Sequence, residues 1–144
     1  MPRRRDRHGR GLRGPLALPN RYLQRAVPLR HPTPRRDVFL DCIGAAVAQV
    51  QQTCPAVLVG VDIGTEEVPG RGVLWREDRV PLAAAVDATP QEPARIVLYE
   101  RPLERRAHDR ETLRTLVHRT LVEQLSALTG RSVTDIDPDI DLDD

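Results

Sequence analysis

Thr120, Glu123, Gln124 and Ala127 sit close together on one long helical stretch, and their placement raises the question of chemistry. They belong to residues 113–130, LRTLVHRTLVEQLSALTG. At about 100° of rotation per residue, Leu113, Leu116, Val117, Leu121 and Leu128 share one apolar stripe of an amphipathic helix. Gln124 falls in the middle of that stripe with Thr120 beside it. Glu123 and Ala127, four apart, run along one edge. An amide on a core face needs partners, and leaving it without them costs about 1–3 kcal/mol. A polar residue here marks either a mobile helix end or the remnant of a site.

The other chemistry-bearing residues are scattered. His118 lies five before Glu123, about 140° away around a helix. His108 precedes Asp109, which reads as a helix cap, and His8 and His31 lie in an Arg-rich leader; all four histidines read as surface residues. Ser126 has no His or Asp partner evident in the sequence, so no hydrolytic triad is supported. Cys42 has no neighbouring His and reads as a small core residue, and a bridge to Cys54 is poorly placed. The Gly70-Arg71-Gly72 run lacks the glycine spacing and following Lys-Ser/Thr of a phosphate loop. Six Asp in DIDPDIDLDD, residues 135–144, faintly resemble the start of a calcium loop. The central Gly and closing Glu are missing, so this is expected to be a solvated acidic tail. Asp135 alone among these could approach Glu123.

The elements that must position these residues follow from periodicity and punctuation. Asp37 is expected to cap a helix over Val38 to Gln52, with Phe39, Ile43, Ala46, Val47 and Val50 inward and Gly44 permitting close packing. Ala56 to Glu67 alternates as a strand. Residues 70–80 read as a loop with Trp75 over a core edge. Leu82 to Val86 is a short strand and Arg95 to Glu100 a clearer one. Arg101 to His108 reads as a connection. Asp109 caps the long helix, and Gly130 ends it. The order helix, strand, strand, strand, helix predicts a small α+β domain, with a mixed sheet packed against two helices.

Composition divides the chain. All 22 basic residues are Arg, which reads as codon usage in a GC-rich genome. Residues 1–36 hold 11 Arg and one acid, Asp6, for +10; the remaining 11 Arg and 20 acids give −9 over 37–144. The leader is rich in Arg, Gly and Pro and cannot bury enough apolar surface to order itself, so a disordered arm is expected over 1–36. It offers an electrostatic hold on nucleic acid or other anions, but Tyr22 is its only aromatic residue for stacking. Residues 37–134 are expected to form the domain. No apolar run is long enough for a signal-peptide core or a membrane span, and two isolated thiols suit a reducing compartment, so a cytoplasmic protein is expected.

IVLYERPLE, then HDRETL, then a helix ending EQLSALTG, with EEVP (Glu66 to Pro69) after the first strand, together resemble the minimal zincin-like metallopeptidase family. These are small, mostly bacterial α+β domains, and the resemblance runs from about Asp37 to Pro138. It implies a helix carrying His-Glu-x-x-His, then x-x-Gly and a further ligand. Residues four apart on a helix let two imidazoles grip one Zn²⁺ while the intervening Glu serves as base. With the family's Gly on Gly130, the first His falls on Glu123, the catalytic Glu on Gln124, the second His on Ala127 and the further ligand on Val133. An amide does not take up a proton near neutral pH, and Ala127 and Val133 offer no donor.

The resemblance therefore implies a member with a degenerate motif, non-catalytic and without a cofactor. Such a protein would act as a peptide-binding or regulatory module through the old cleft, between Glu123, Gln124, Thr120 and a strand edge at Arg95 to Tyr99. Two alternatives stand beside it. One is an active zinc peptidase with unusual ligands, Glu123 among them. The other is nucleic-acid or anion binding through the Arg-rich arm.

Overall fold

A computed structural model describes residues 34–70 and 79–140. The Arg-rich arm to residue 33 (with His8 and His31), the loop 71–78 with Trp75, and residues 141–144 lie outside the described residues, as do the expectations placed on them.

The first helix, α1, is Arg35–Thr53, preceded by Pro34 and with no side-chain cap. It thus begins inside the stretch assigned to the arm. Asp37 sits in its first turn, where a carboxylate favours the helix dipole, instead of capping it. The inward face is Phe39, Cys42, Ala46 and Val50, with Ile43 and Val47 only partly buried. Pro55 ends the helix and starts a short 3-10 turn over Pro55–Leu58. The strand expected from Ala56 is therefore displaced. Val57 is buried but Val59 is 81% exposed. Gly60, at φ 72°, then supplies a left-handed residue that most side chains resist, before β1, Val61–Glu66.

The strands β2, Ala83–Val86, and β3, Ala94–Tyr99, complete a mixed sheet in the order β1-β3-β2. β1 runs parallel to β3 from Val61↔Ala94 to Glu66↔Tyr99, and β2 runs antiparallel to it from Ala83↔Leu98 to Val86↔Arg95. β3 is thus paired on both sides, which explains its buried Ala94, Ile96, Leu98 and Tyr99. Burial pushes the Tyr99 phenol above its ordinary range, with the Glu66 carboxylate adding to it.

Residues expected to form a connection make helix α2, Glu100–Arg106. Pro102 is tolerated because it falls in the first turn, where its missing N–H would have no partner in the helix. The long helix α3 spans Arg110–Thr129. Asp109 accepts from the Thr112 N–H at 2.7 Å, and this bond holds its carboxyl below the usual range. Gly130, at φ 74°, closes the helix. The acidic stretch also folds: Ser132 accepts from the Asp135 N–H and starts a one-turn helix α4, Val133–Ile136. Ile136 and Asp137 are 0% and 1% exposed, so the solvated-tail expectation does not hold for them.

α3 lies at the centre, packing against α1, α2, α4 and the strands β2 and β3. Its buried residues are Leu113, Val117, Thr120, Leu121, Val122 and Leu125. Each of the larger ones contributes about 1.5–3 kcal/mol by leaving water. Among the described residues no helix is long and apolar enough to cross a membrane.

Gly44 is exposed on α1 and, among the described residues, a Cβ there would meet nothing within 4 Å, so no close packing among them depends on it. Gly44→Ala is expected to raise unfolding free energy by about 0.5–1 kcal/mol in urea denaturation, because Ala holds a helix better than Gly.

Candidate functional site

The apolar arc of α3 is wider than the stripe read from the sequence, and it is turned toward Leu125 and Val122. This rotation decides what each polar residue meets. Thr120, 3% exposed, is taken into the core. Gln124 is half-buried, and Glu123 and Ala127 are exposed. The Glu123 carboxylate is held at 3.1 Å by the Arg119 Nε one turn back. Val133 packs against the hydrophobic core from α4. Ser126 donates to the Arg131 carbonyl at 2.6 Å and so helps close the helix end. Asp135 is exposed in the first turn of α4, and His108 is exposed before the cap.

The expected strand edge at Arg95 to Tyr99 is not an edge. That segment is the central strand, hydrogen-bonded to both neighbours. Among the described residues the free edge beside α3 belongs to β2. The Tyr99 N–H donates to the Leu82 carbonyl at 2.9 Å. Stepping along the antiparallel register by twos, Ala84 and Val86 also bond toward β3. Ala83 and Ala85 consequently aim their N–H and C=O groups outward.

The sequence reading placed His118 at the surface, and here the structure corrects it. His118 is indeed turned away from Glu123, but its side chain is only 12% exposed. Its Nε2 lies 2.6 Å from Asp137 Oδ2, which also accepts from Gln49 Nε2 at 2.9 Å. The other carboxylate oxygen accepts from the Asp139 N–H at 3.1 Å. A carboxylate this deep needs such partners, because an unpaired buried charge is costly. Gln49 on α1, His118 on α3 and Asp137 after α4 thus tie three separate segments together. A cavity of about 690 Å³ opens beside them, lined in part by Arg110, Arg114 and Arg119. Thr115, the hydroxyl on its wall, donates to the Glu111 carbonyl, so the His–Asp pair has no nucleophile beside it among the described residues. Two signals in the sequence pointed here: Val122 and Leu125 extend the apolar arc toward His118, and Ser132 three before Asp135 has helix-cap spacing.

Both cysteines are buried and free, as their spacing suggested. Burial pushes the Cys42 thiol above its ordinary range despite Arg110 and Arg114 nearby, which suits a core residue and not a nucleophile.

Zinc needs a convergent donor set. Among the described residues no three His, Cys, Asp or Glu side chains gather as one. At the positions where the resemblance puts ligands, Glu123 is ion-paired to Arg119, and Ala127 and Val133 carry no donor. These residues do not fit a zinc ion.

Residues 60–140, more than half of the chain, match the family described as zincin-like metallopeptidase. Among curated proteins none matches the chain.

Asp137→Ala is expected to cost about 2–4 kcal/mol, since it strands His118 and Gln49 and frees the segment after α4. Hydrogen exchange should show residues 133–140 losing protection before α1 or β3. The double variant with His118→Ala should cost clearly less than the sum of the two single changes.

Proposed function

The chain belongs to the zincin-like metallopeptidase family, and we propose that it is a non-catalytic member that binds an extended peptide along the edge of β2. One observation carries the first half: the four positions that would supply two imidazoles, the base and a further ligand hold Glu123, Gln124, Ala127 and Val133. Gln124 cannot take a proton from water at neutral pH, and one carboxylate engaged by Arg119 is no zinc site.

The second half is supported by the β2 edge. Ala83 and Ala85 present outward backbone pairs, the set that an added strand uses for main-chain recognition. Their small side chains leave room, and Val86, 55% exposed, offers an apolar contact at the strand's end. α3 packs against β2, so Gln124 and Glu123 lie on the helix that supports this edge. Strand addition needs no metal, and it can outlast the loss of catalysis.

The test uses a library of short peptides with alternating apolar residues, screened for binding to the full chain and analysed by mass spectrometry afterwards. Bound peptides are expected to be recovered uncut. Ala85→Pro removes an outward N–H without touching the ladder to β3, and prolines are tolerated on edges. It should weaken peptide binding by about tenfold or more while leaving thermal stability near that of the parent. Cleaved peptides would contradict the non-catalytic reading. Binding unchanged in Ala85→Pro would contradict the edge.

A further inference from the structure

We infer that the β2 edge leads into an anion-binding cavity, and that the peptide segment this protein takes is acidic at the end that enters it. The inference rests on the edge reading above and names its partner's chemistry.

The cavity, about 580 Å³, lies at one end of the sheet, where β1 and β3 finish and β2 begins. All three strands contribute to it: Glu67 and Val68 follow β1, Arg101, Arg105 and Arg106 come from α2 after β3, and Arg79 and Leu82 precede β2. Among the described residues its lining therefore holds four guanidinium groups against one carboxylate. That carboxylate is already engaged, because Glu67 Oε1 accepts from Arg101 Nε at 3.0 Å and Nη2 at 2.8 Å. Glu104, on the same short helix, is turned away: its side chain is 10% exposed and lies 2.7 Å from the Arg35 Nε of α1. Among the described residues, Arg79, Arg105 and Arg106 thus share one cavity whose single lining carboxylate, Glu67, is already paired with Arg101.

Like charges gathered in this way repel one another, and an entering anion relieves that repulsion. The planar forks of arginine suit a carboxylate in two-point contact. The wall is not wholly polar. Val68, 56% exposed, and Leu82 offer apolar surface for the aliphatic stem of an acidic side chain. Continuity with the edge favours a peptide over a free ion. Leu82 lines the cavity, and the next residue, Ala83, is the first to aim its backbone outward. A strand lying on Ala83 and Ala85 would bring one of its ends to the arginines.

The test uses ¹⁵N-labelled full-length chain and three probes. One is an acetylated, amidated hexapeptide of alternating Val and Thr ending in two Glu. The second has Gln in place of both Glu, and the third is inorganic phosphate. The Glu peptide is expected to bind about tenfold more tightly than the Gln peptide. It should shift the Ala83 and Ala85 amides together with the Nε signals of Arg105 and Arg106. Arg105→Gln with Arg106→Gln, both on the exposed side of α2, should remove that advantage and leave the Gln peptide's affinity unchanged. Equal affinity for the two peptides would overturn the acidic preference while leaving the edge reading in place. Arginine shifts without any change at Ala83 and Ala85 would remove the edge reading and leave an anion site only. Phosphate binding as tightly as the Glu peptide would overturn the peptide as partner. Silence from all three probes would overturn both readings.

Discussion

Burial of α3 is the constraint on which the rest of the structure depends. The sheet has three strands among the described residues and cannot enclose a core alone. α3 covers it, and α1, α2 and α4 pack against α3 in turn. Six of its residues lose nearly all contact with water. With so few aromatic residues in the chain, the core relies on the interlocking of Leu, Val and Ile, and on Phe39 from α1. On the proposed reading this is the helix that carries the metal ligands in a working member of the family. Its inward face is held by packing, while Glu123 and Ala127 are exposed.

The ends of the helix are set by local chemistry. Asp109 and Gly130 define them, and Ser126 closes the last turn. The polar interior has its own structural role. Asp137, His118 and Gln49 join the segment after α4 to α3 and α1. An apolar trio of similar volume would give as much stability or more, but only the polar set requires one particular alignment of the three segments.

Much of this was legible in the sequence, and the exceptions have physical causes. The caps at Asp109 and Gly130 are local chemistry, and they fell where the sequence put them. The strand over Arg95 to Glu100 was readable from its alternation, and β3 lies there at Ala94–Tyr99. Residues 55–60 were not: Val57 and Val59 alternate like a strand, yet Pro55 favours a tight turn and Gly60 takes a left-handed conformation that alternation does not reveal. Residues 101–108 read as a connection, whereas most of them form α2, where Pro102 is tolerated because it falls in the first turn. The buried role of Asp137 lay beyond local reasoning, since its partners are 19 and 88 residues away. For the candidate site, the residue types at 123, 124 and 127 were legible directly in the sequence. The identity of the free edge was not, because strand order is set by long-range pairing that places β2 outside β3.

The central claim is that this helix keeps the architecture of a metallopeptidase without its metal chemistry. The most direct measurement is the metal content of the full chain, purified without chelators, exposed to excess zinc, dialysed and read by inductively coupled plasma mass spectrometry. The account predicts zinc far below one ion per chain, with no difference between the parent and Glu123→Ala. One tightly held zinc per chain, lost in Glu123→Ala, would contradict it.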